Sequence, residues 1–204
     1  MEEITNYQKI DFIFQSNNGF ITRSDVDNEN ISSWFLTDYI RKNNLIKVAP
    51  GFYVSEDYSI DEYFIFQKRY PKYIFSGMSA LYIHYLTDKI PQEIEVTRPQ
   101  GYNPTRNKEL NIKIRQISDF KLYELGIEEK KTMFGNFVKV YDKERTICDL
   151  IKNRDKYDSE TFVKALRLFV KSDFNQIKLL KYSKIMKIEA KVFNLMEIFN
   201  NEDQ

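Results

Sequence analysis

Ile31-Ser32-Ser33-Trp34-Phe35-Leu36-Thr37-Asp38-Tyr39-Ile40-Arg41-Lys42, followed by Leu45-Ile46-Lys47-Val48, Ala49-Pro50-Gly51 and Phe52-Tyr53-Val54, is the stretch whose reading decides the fold. Phe35, Leu36, Tyr39 and Ile40 fall at i, i+1, i+4 and i+5, so on a helix they share one inward face. The opposite face then carries Ser33, Trp34, Thr37, Asp38 and Arg41. Ser32 or Ser33 is placed to cap that helix by accepting an orphan amide. The two short apolar runs are separated by Pro50-Gly51, a fixed φ followed by a permissive one, as a type II turn needs. They predict a hairpin.

Upstream, Thr22 stands three residues before Asp25, a capping-box spacing that opens a polar helix through Asn30. Thr5 to Ser16 reads as an earlier helix, with Tyr7, Ile10, Ile13 and Phe14 at helical spacing, and Asn17-Asn18-Gly19 ends it. Helix, turn, helix and hairpin in that order predict a winged helix-turn-helix, which lays one helix in the DNA major groove. Ser32, Ser33, Thr37 and Arg41 would face base edges, and Arg23, Lys42 and Lys47 would meet phosphates. Charge does not decide the matter. Residues 1–54 hold five Lys/Arg against seven Asp/Glu, a net of about −2, so only that local patch is basic. A helical domain with an appended hairpin can also serve a protein partner.

The chain has 204 residues, with net charge +1, and carries 15% aromatic residues but only 6 Gly and 5 Pro, which describes packed globular domains. No apolar run reaches the ~18 residues of a membrane span, and Met1-Glu2-Glu3 is acidic where a signal peptide is basic. A cytoplasmic location is expected. The single cysteine, Cys148, forbids an internal disulfide and a Cys-rich zinc site. The polar run Ser55-Glu56-Asp57-Tyr58-Ser59 places a domain boundary at 58/59, giving domains 1–58 and 59–204.

Beyond it the pattern is mixed. Helices are expected at Asp61–Arg69 and Ser76–Leu86, and strands at Tyr73–Phe75, Glu93–Thr97, Leu110–Arg115, Glu129–Met133 and Phe137–Tyr141. Close spacing of the later strands argues antiparallel pairing there. From Lys143 the chain reads as helical, with Ser159 and Asp173 as caps and a break near Tyr182-Ser183 in the last segment. The expected class is α+β, a winged helix followed by a mixed domain that ends in helices.

Phosphate-binding glycine loops and a nucleophile elbow are absent from the sequence. His84 has no second histidine, and Cys148 falls on an apolar helix face, so both read as packing residues. No catalytic residue, metal or cofactor is assigned. Lys178, Lys181, Lys184, Lys187 and Lys191 are spaced to form a cationic ridge, either a solvated face or a surface for DNA phosphates or an acidic partner. Arg145 and Asp149, at i and i+4, are expected to pair as a fastener between sheet and helices.

Four segments in order carry a family resemblance: Ala49-Pro50-Gly51-Phe52-Tyr53, Ser76-Gly77-Met78-Ser79-Ala80-Leu81-Tyr82-Ile83-His84-Tyr85-Leu86, Glu95-Val96-Thr97, and Glu144-Arg145-Thr146-Ile147-Cys148-Asp149-Leu150. Together they resemble the AbiEi antitoxin family of abortive-infection systems. The resemblance implies a bacterial type IV toxin–antitoxin operon. Its N-terminal winged helix would repress that operon through inverted repeats in the promoter. Its C-terminal domain would counteract a nucleotidyltransferase-like toxin without forming a stable complex. Two other functions stay open. One is a ligand-sensing winged-helix repressor, and the other is a metal-dependent nuclease built on Glu93 or Glu95.

Overall fold

The computed structural model describes residues 4–102 and 111–202 and divides into two compact units. The first runs to Ile65 and includes Thr132–Asn136; the second comprises Phe66–Lys131 and the chain from Phe137 onward. Both mix helices with antiparallel or mixed sheets, so the class is α+β.

In the first unit, α1 (Asn6–Ser16) is opened by a capping box between Thr5 and Gln8. It stops where Asn18 and Gly19 turn to positive φ. Strand β1 (Phe20–Thr22) follows, and Thr22 with Asp25 forms the capping box of α2 (Arg23–Asn28). Ser32 caps α3 (Ser33–Lys42). Strands β2 (Ile46–Ala49) and β3 (Phe52–Val54) form the hairpin, with Gly51 at φ +77°. The sheet order is β1-β3-β2, antiparallel throughout. Ile10, Phe14, Ile21, Val26, Leu36 and Tyr39 form the core against which the three helices close.

The unit does not end at the polar run after β3. Asp61 accepts from the Phe64 amide at 3.0 Å, and its second oxygen accepts from Thr132 Oγ1 at 2.5 Å and Asn136 Nδ2 at 2.9 Å. Asn136 also accepts from Asn18 Nδ2 at 3.0 Å. Phe64 packs edge-on to Phe20, 5.1 Å between ring centres. The boundary at 58/59 therefore falls upstream of residues that complete this unit.

The second unit is built on a five-stranded sheet of order β6-β5-β4-β8-β7. Its strands are β4 (Ile74–Phe75), β5 (Ile94–Pro99), β6 (Ile112–Ile117), β7 (Ile127–Lys131) and β8 (Phe137–Tyr141). β7 and β8 pair antiparallel, as their spacing implies, but β5 and β6 pair in parallel. The connection between those two strands is long enough for a crossover; its Leu110, expected to start a strand, lies outside the described residues.

Helix α4 (Glu62–Arg69) leads in, α5 (Gly77–Ile83) lies on the sheet, and the short α6 (Phe120–Glu124) follows β6. Helices α7 (Lys143–Lys152), α8 (Ser159–Lys171), α9 (Gln176–Ile185) and α10 (Glu189–Glu202) enclose a core of Leu81, Ile147, Leu150, Leu166, Phe169 and Leu179. Asp158 and Asn175, not Ser159 and Asp173, cap α8 and α9. The break in the last helical stretch falls at Lys187, where φ is +57°, and not at Tyr182-Ser183. Tyr182 and Ser183 are buried, with hydroxyls bonded to Asp142 and Leu180, so the helix continues through them.

Candidate nucleic-acid interface

Helix α3 separates its two faces much as its sequence demands. Leu36 and Tyr39 are buried and Phe35 and Ile40 half-buried, while Ser32, Trp34, Thr37, Arg41 and Lys42 are exposed. Ser33 is half-buried. The Thr37 hydroxyl donates to the Ser33 carbonyl at 3.0 Å, which leaves its oxygen free to accept from outside.

Asp38 corrects the expected pattern: it is buried, not outward-facing. Its carboxylate takes Arg41 Nη2 at 2.7 Å and Lys42 Nζ at 2.8 Å, and the Tyr7 hydroxyl donates to it from α1. Hydrogen bonds from Lys42 and Tyr7 hold that carboxyl down at about 2. The same contacts raise the Lys42 ammonium and the Tyr7 phenol above their ordinary values. Lys42 also lies 4.7 Å over the Tyr7 ring, and Tyr39 donates to Asp11 at 2.8 Å. One carboxylate thus steers two cations and bolts α3 to α1. The spacing of Asp38 to Arg41 and Lys42, at i+3 and i+4, is legible in the sequence, but the bond from Tyr7 is not, because Tyr7 and Asp38 lie far apart in the chain.

Arg41 nonetheless leaves 81% of its side chain exposed, and cations at the C-terminal end of α3 complement the helix dipole. Lys47 is exposed on β2. Arg23 pairs with Asp27 at 2.9 Å, and its amide donates to the Gly51 carbonyl, so it is fixed at the hairpin tip. The exposed indole of Trp34, edge-on to Phe35 at 5.1 Å, adds a stacking surface beside Thr37.

The lysine ridge is not continuous. Lys178 reaches the buried Asp142 at 3.2 Å, which also accepts from the Tyr182 hydroxyl and caps α7 through the Arg145 amide. Lys184 lies 3.5 Å from Glu189. Lys181, Lys187 and Lys191 are exposed, and Ile177, Leu180 and Ile185 are exposed among them.

Arg145 is fully buried. Its Nε meets Asp149 at 2.9 Å, its Nη1 donates to the Leu122 and Leu125 carbonyls, and it lies 4.6 Å over the Tyr141 ring. Arg115 of β6 reaches the same Asp149 at 2.6 Å, so the carboxylate ties sheet to helix. Glu95 is held by Lys113 at 2.8 Å and by the Met78 amide at 3.2 Å, with Glu93 3.9 Å from Lys113. Among the described residues no group of three His, Cys, Asp or Glu converges as a metal site. Burial pushes the Cys148 thiol up to about 12, so it is an inert filler.

No family model matches the chain, and no curated protein matches it. Among solved structures, the RV2827C protein from Mycobacterium tuberculosis aligns over 90% of this chain and 73% of its own, with a TM-score of 0.53. Sequence identity is 11%, so the likeness is one of fold alone. Among the described residues, no helix is long and apolar enough to cross a membrane.

Proposed function

We propose that this chain is the antitoxin and autorepressor of a type IV toxin–antitoxin operon, as its resemblance to the AbiEi family implies. In this reading the first unit is a winged helix-turn-helix, with α3 as recognition helix and β2–β3 as wing. The observation that carries it is the composition of the outer face of α3. The Ser32 and Thr37 hydroxyls, the Arg41 guanidinium and the Trp34 indole stand exposed there, while Phe35, Leu36, Tyr39 and Ile40 are turned in. Ser32, Ser33, Thr37 and Arg41 address base edges, and Arg23, Lys42 and Lys47 meet phosphates. The Asp38 clamp supplies pre-organisation, since Arg41 and Lys42 need not be ordered again on binding.

The test is an Arg41→Glu substitution. Arg41→Glu sets a second acid beside the buried Asp38 and so lowers stability. Binding is therefore read at a temperature where circular dichroism shows the variant folded, and there it should lose binding to its own promoter in a gel-shift titration. Unchanged affinity removes Arg41, and with it the outer face of α3, from the interface. The antitoxin half of the reading is tested by co-expressing residues 59–204 with a nucleotidyltransferase-like toxin. Growth rescue by that segment alone supports it, and rescue only by residues 1–58 reverses the assignment.

A further inference from the structure

A cavity of about 210 Å³ opens in the second unit between the β5–β6 pair, α7 and the turn that follows α7. Its two acids are already committed. Glu95 spends its oxygens on Lys113 and the Met78 amide, and Asp149 spends its own on Arg115 and Arg145. Three cations line the space against those two acids: Lys113, Arg115 and Lys156. The Lys156 ammonium and the Tyr157 hydroxyl have no hydrogen-bond or ion-pair partner among the described residues. The unfilled capacity of the charged groups around the cavity therefore belongs to donors, and the net charge of those groups is positive.

We propose that this cavity binds a phosphate monoester, its phosphoryl oxygens held by Lys156, Arg115 and Lys113 with the Tyr157 hydroxyl donating beside them. Arg115 is fixed in direction by Asp149 and keeps N–H groups to spare, the planar fork that phosphate oxygens accept in pairs. Lys113 is fixed likewise by Glu95. Burial raises the Tyr157 phenol above its ordinary value, with Glu95 and Asp149 adding to the effect, so it stays a donor at neutral pH. The volume is below the ~300 Å³ at which pockets for drug-sized ligands begin, so the ligand is a phosphoryl group on a small carbon frame. Three cations against two carboxylates leave one net positive charge, and it is the number of spare N–H and O–H donors, more than a two-oxygen carboxylate can accept from, that favours a phosphoryl group. None of this depends on whether α3 reads DNA.

Isothermal titration of the full chain at fixed ionic strength, with ribose 5-phosphate, inorganic phosphate and acetate in separate runs, tests the assignment. Saturable binding of either phosphate source is expected, and ribose 5-phosphate binding more tightly would show that the carbon frame is also held. Lys156→Ala should weaken binding by about tenfold or more, the worth of a charge-assisted hydrogen bond, and Lys156→Glu should remove it. Lys156 is exposed and its ammonium has no hydrogen-bond or ion-pair partner among the described residues, so both variants should melt as the parent does. No saturable heat with either phosphate source, equal affinity in Lys156→Glu, or acetate binding as tightly as phosphate would each overturn the proposal.

Discussion

His84 shows how much a single buried side chain can impose on the molecule. Its Nε2 lies 2.7 Å from the Tyr141 carbonyl and must donate to it, which leaves Nδ1 as a buried acceptor without a partner. Burial holds the imidazole at about 4 against an ordinary 6.5. The group is neutral in both folded and unfolded chains above pH 6.5. As pH falls from 6.5 towards 4, only the unfolded chain takes the proton, and stability is lost across that window. The gap corresponds to roughly 3 kcal/mol. Glu128, 3.9 Å away, works against this, because burial raises its carboxyl and it binds a proton more readily when folded. The Asp38 contribution is lost only as pH falls from about 3.8 towards 2, below the histidine window. Urea unfolding from pH 7.5 to 4.5 should show the loss, and His84→Gln, which keeps a donor for Tyr141, should flatten it. A wild-type curve already flat between 6.5 and 4.5 would mean that His84 does not carry it.

At the scale of elements, α9 and α10 present two kinds of lysine that one spacing rule cannot tell apart. Lys178 compensates the buried Asp142, whereas Lys181, Lys187 and Lys191 have no ion-pair partner among the described residues. If the free three meet phosphates, Lys181→Glu with Lys187→Glu should weaken promoter binding and lower the log–log salt slope by roughly one per lost contact. An unaltered slope would return them to solvent. Lys178→Glu should instead lower stability, because it sets a second acid against Asp142. The same distinction explains what the sequence could disclose. Long periodic elements such as α1, α3, α7 and α8 are written in their apolar spacing, although the cap of α8 is Asp158 and not the expected Ser159, and the hairpin is written in Pro50-Gly51. β1 and α6, three and five residues long, are too short for periodicity and exist through pairing and packing. The Tyr7 contact that bolts the Asp38 clamp to α1, and the phosphate cavity, are assembled by long-range contacts that no local pattern encodes.

For the whole molecule, the polar run Ser55–Ser59 looks like a linker, yet the first unit is finished by residues beyond it. Asp61, 5% exposed, joins its own chain segment to Thr132 and Asn136 through three hydrogen bonds, and Asn136 passes the connection to Asn18 at the end of α1. Hydrogen bonds to a buried carboxylate are worth about 1.5–3 kcal/mol each at most, and they are not additive. Asp61→Ala in the full chain should therefore cost the first unit roughly 2–4 kcal/mol, since Thr132 and Asn136 are left with buried, unpaired groups. Amide exchange in α1 and α3 is the measurement, because it reads this unit separately from α7 and α8. Protection should fall in the first pair of helices and hold in the second. By the same reasoning residues 1–58 alone should melt below residues 1–65, and both below the unit in the intact chain. A fragment 1–58 as stable as the intact unit, with Asp61→Ala leaving exchange unchanged, would mean that Ser55–Ser59 is a true boundary and that the contacts beyond it contribute nothing to folding.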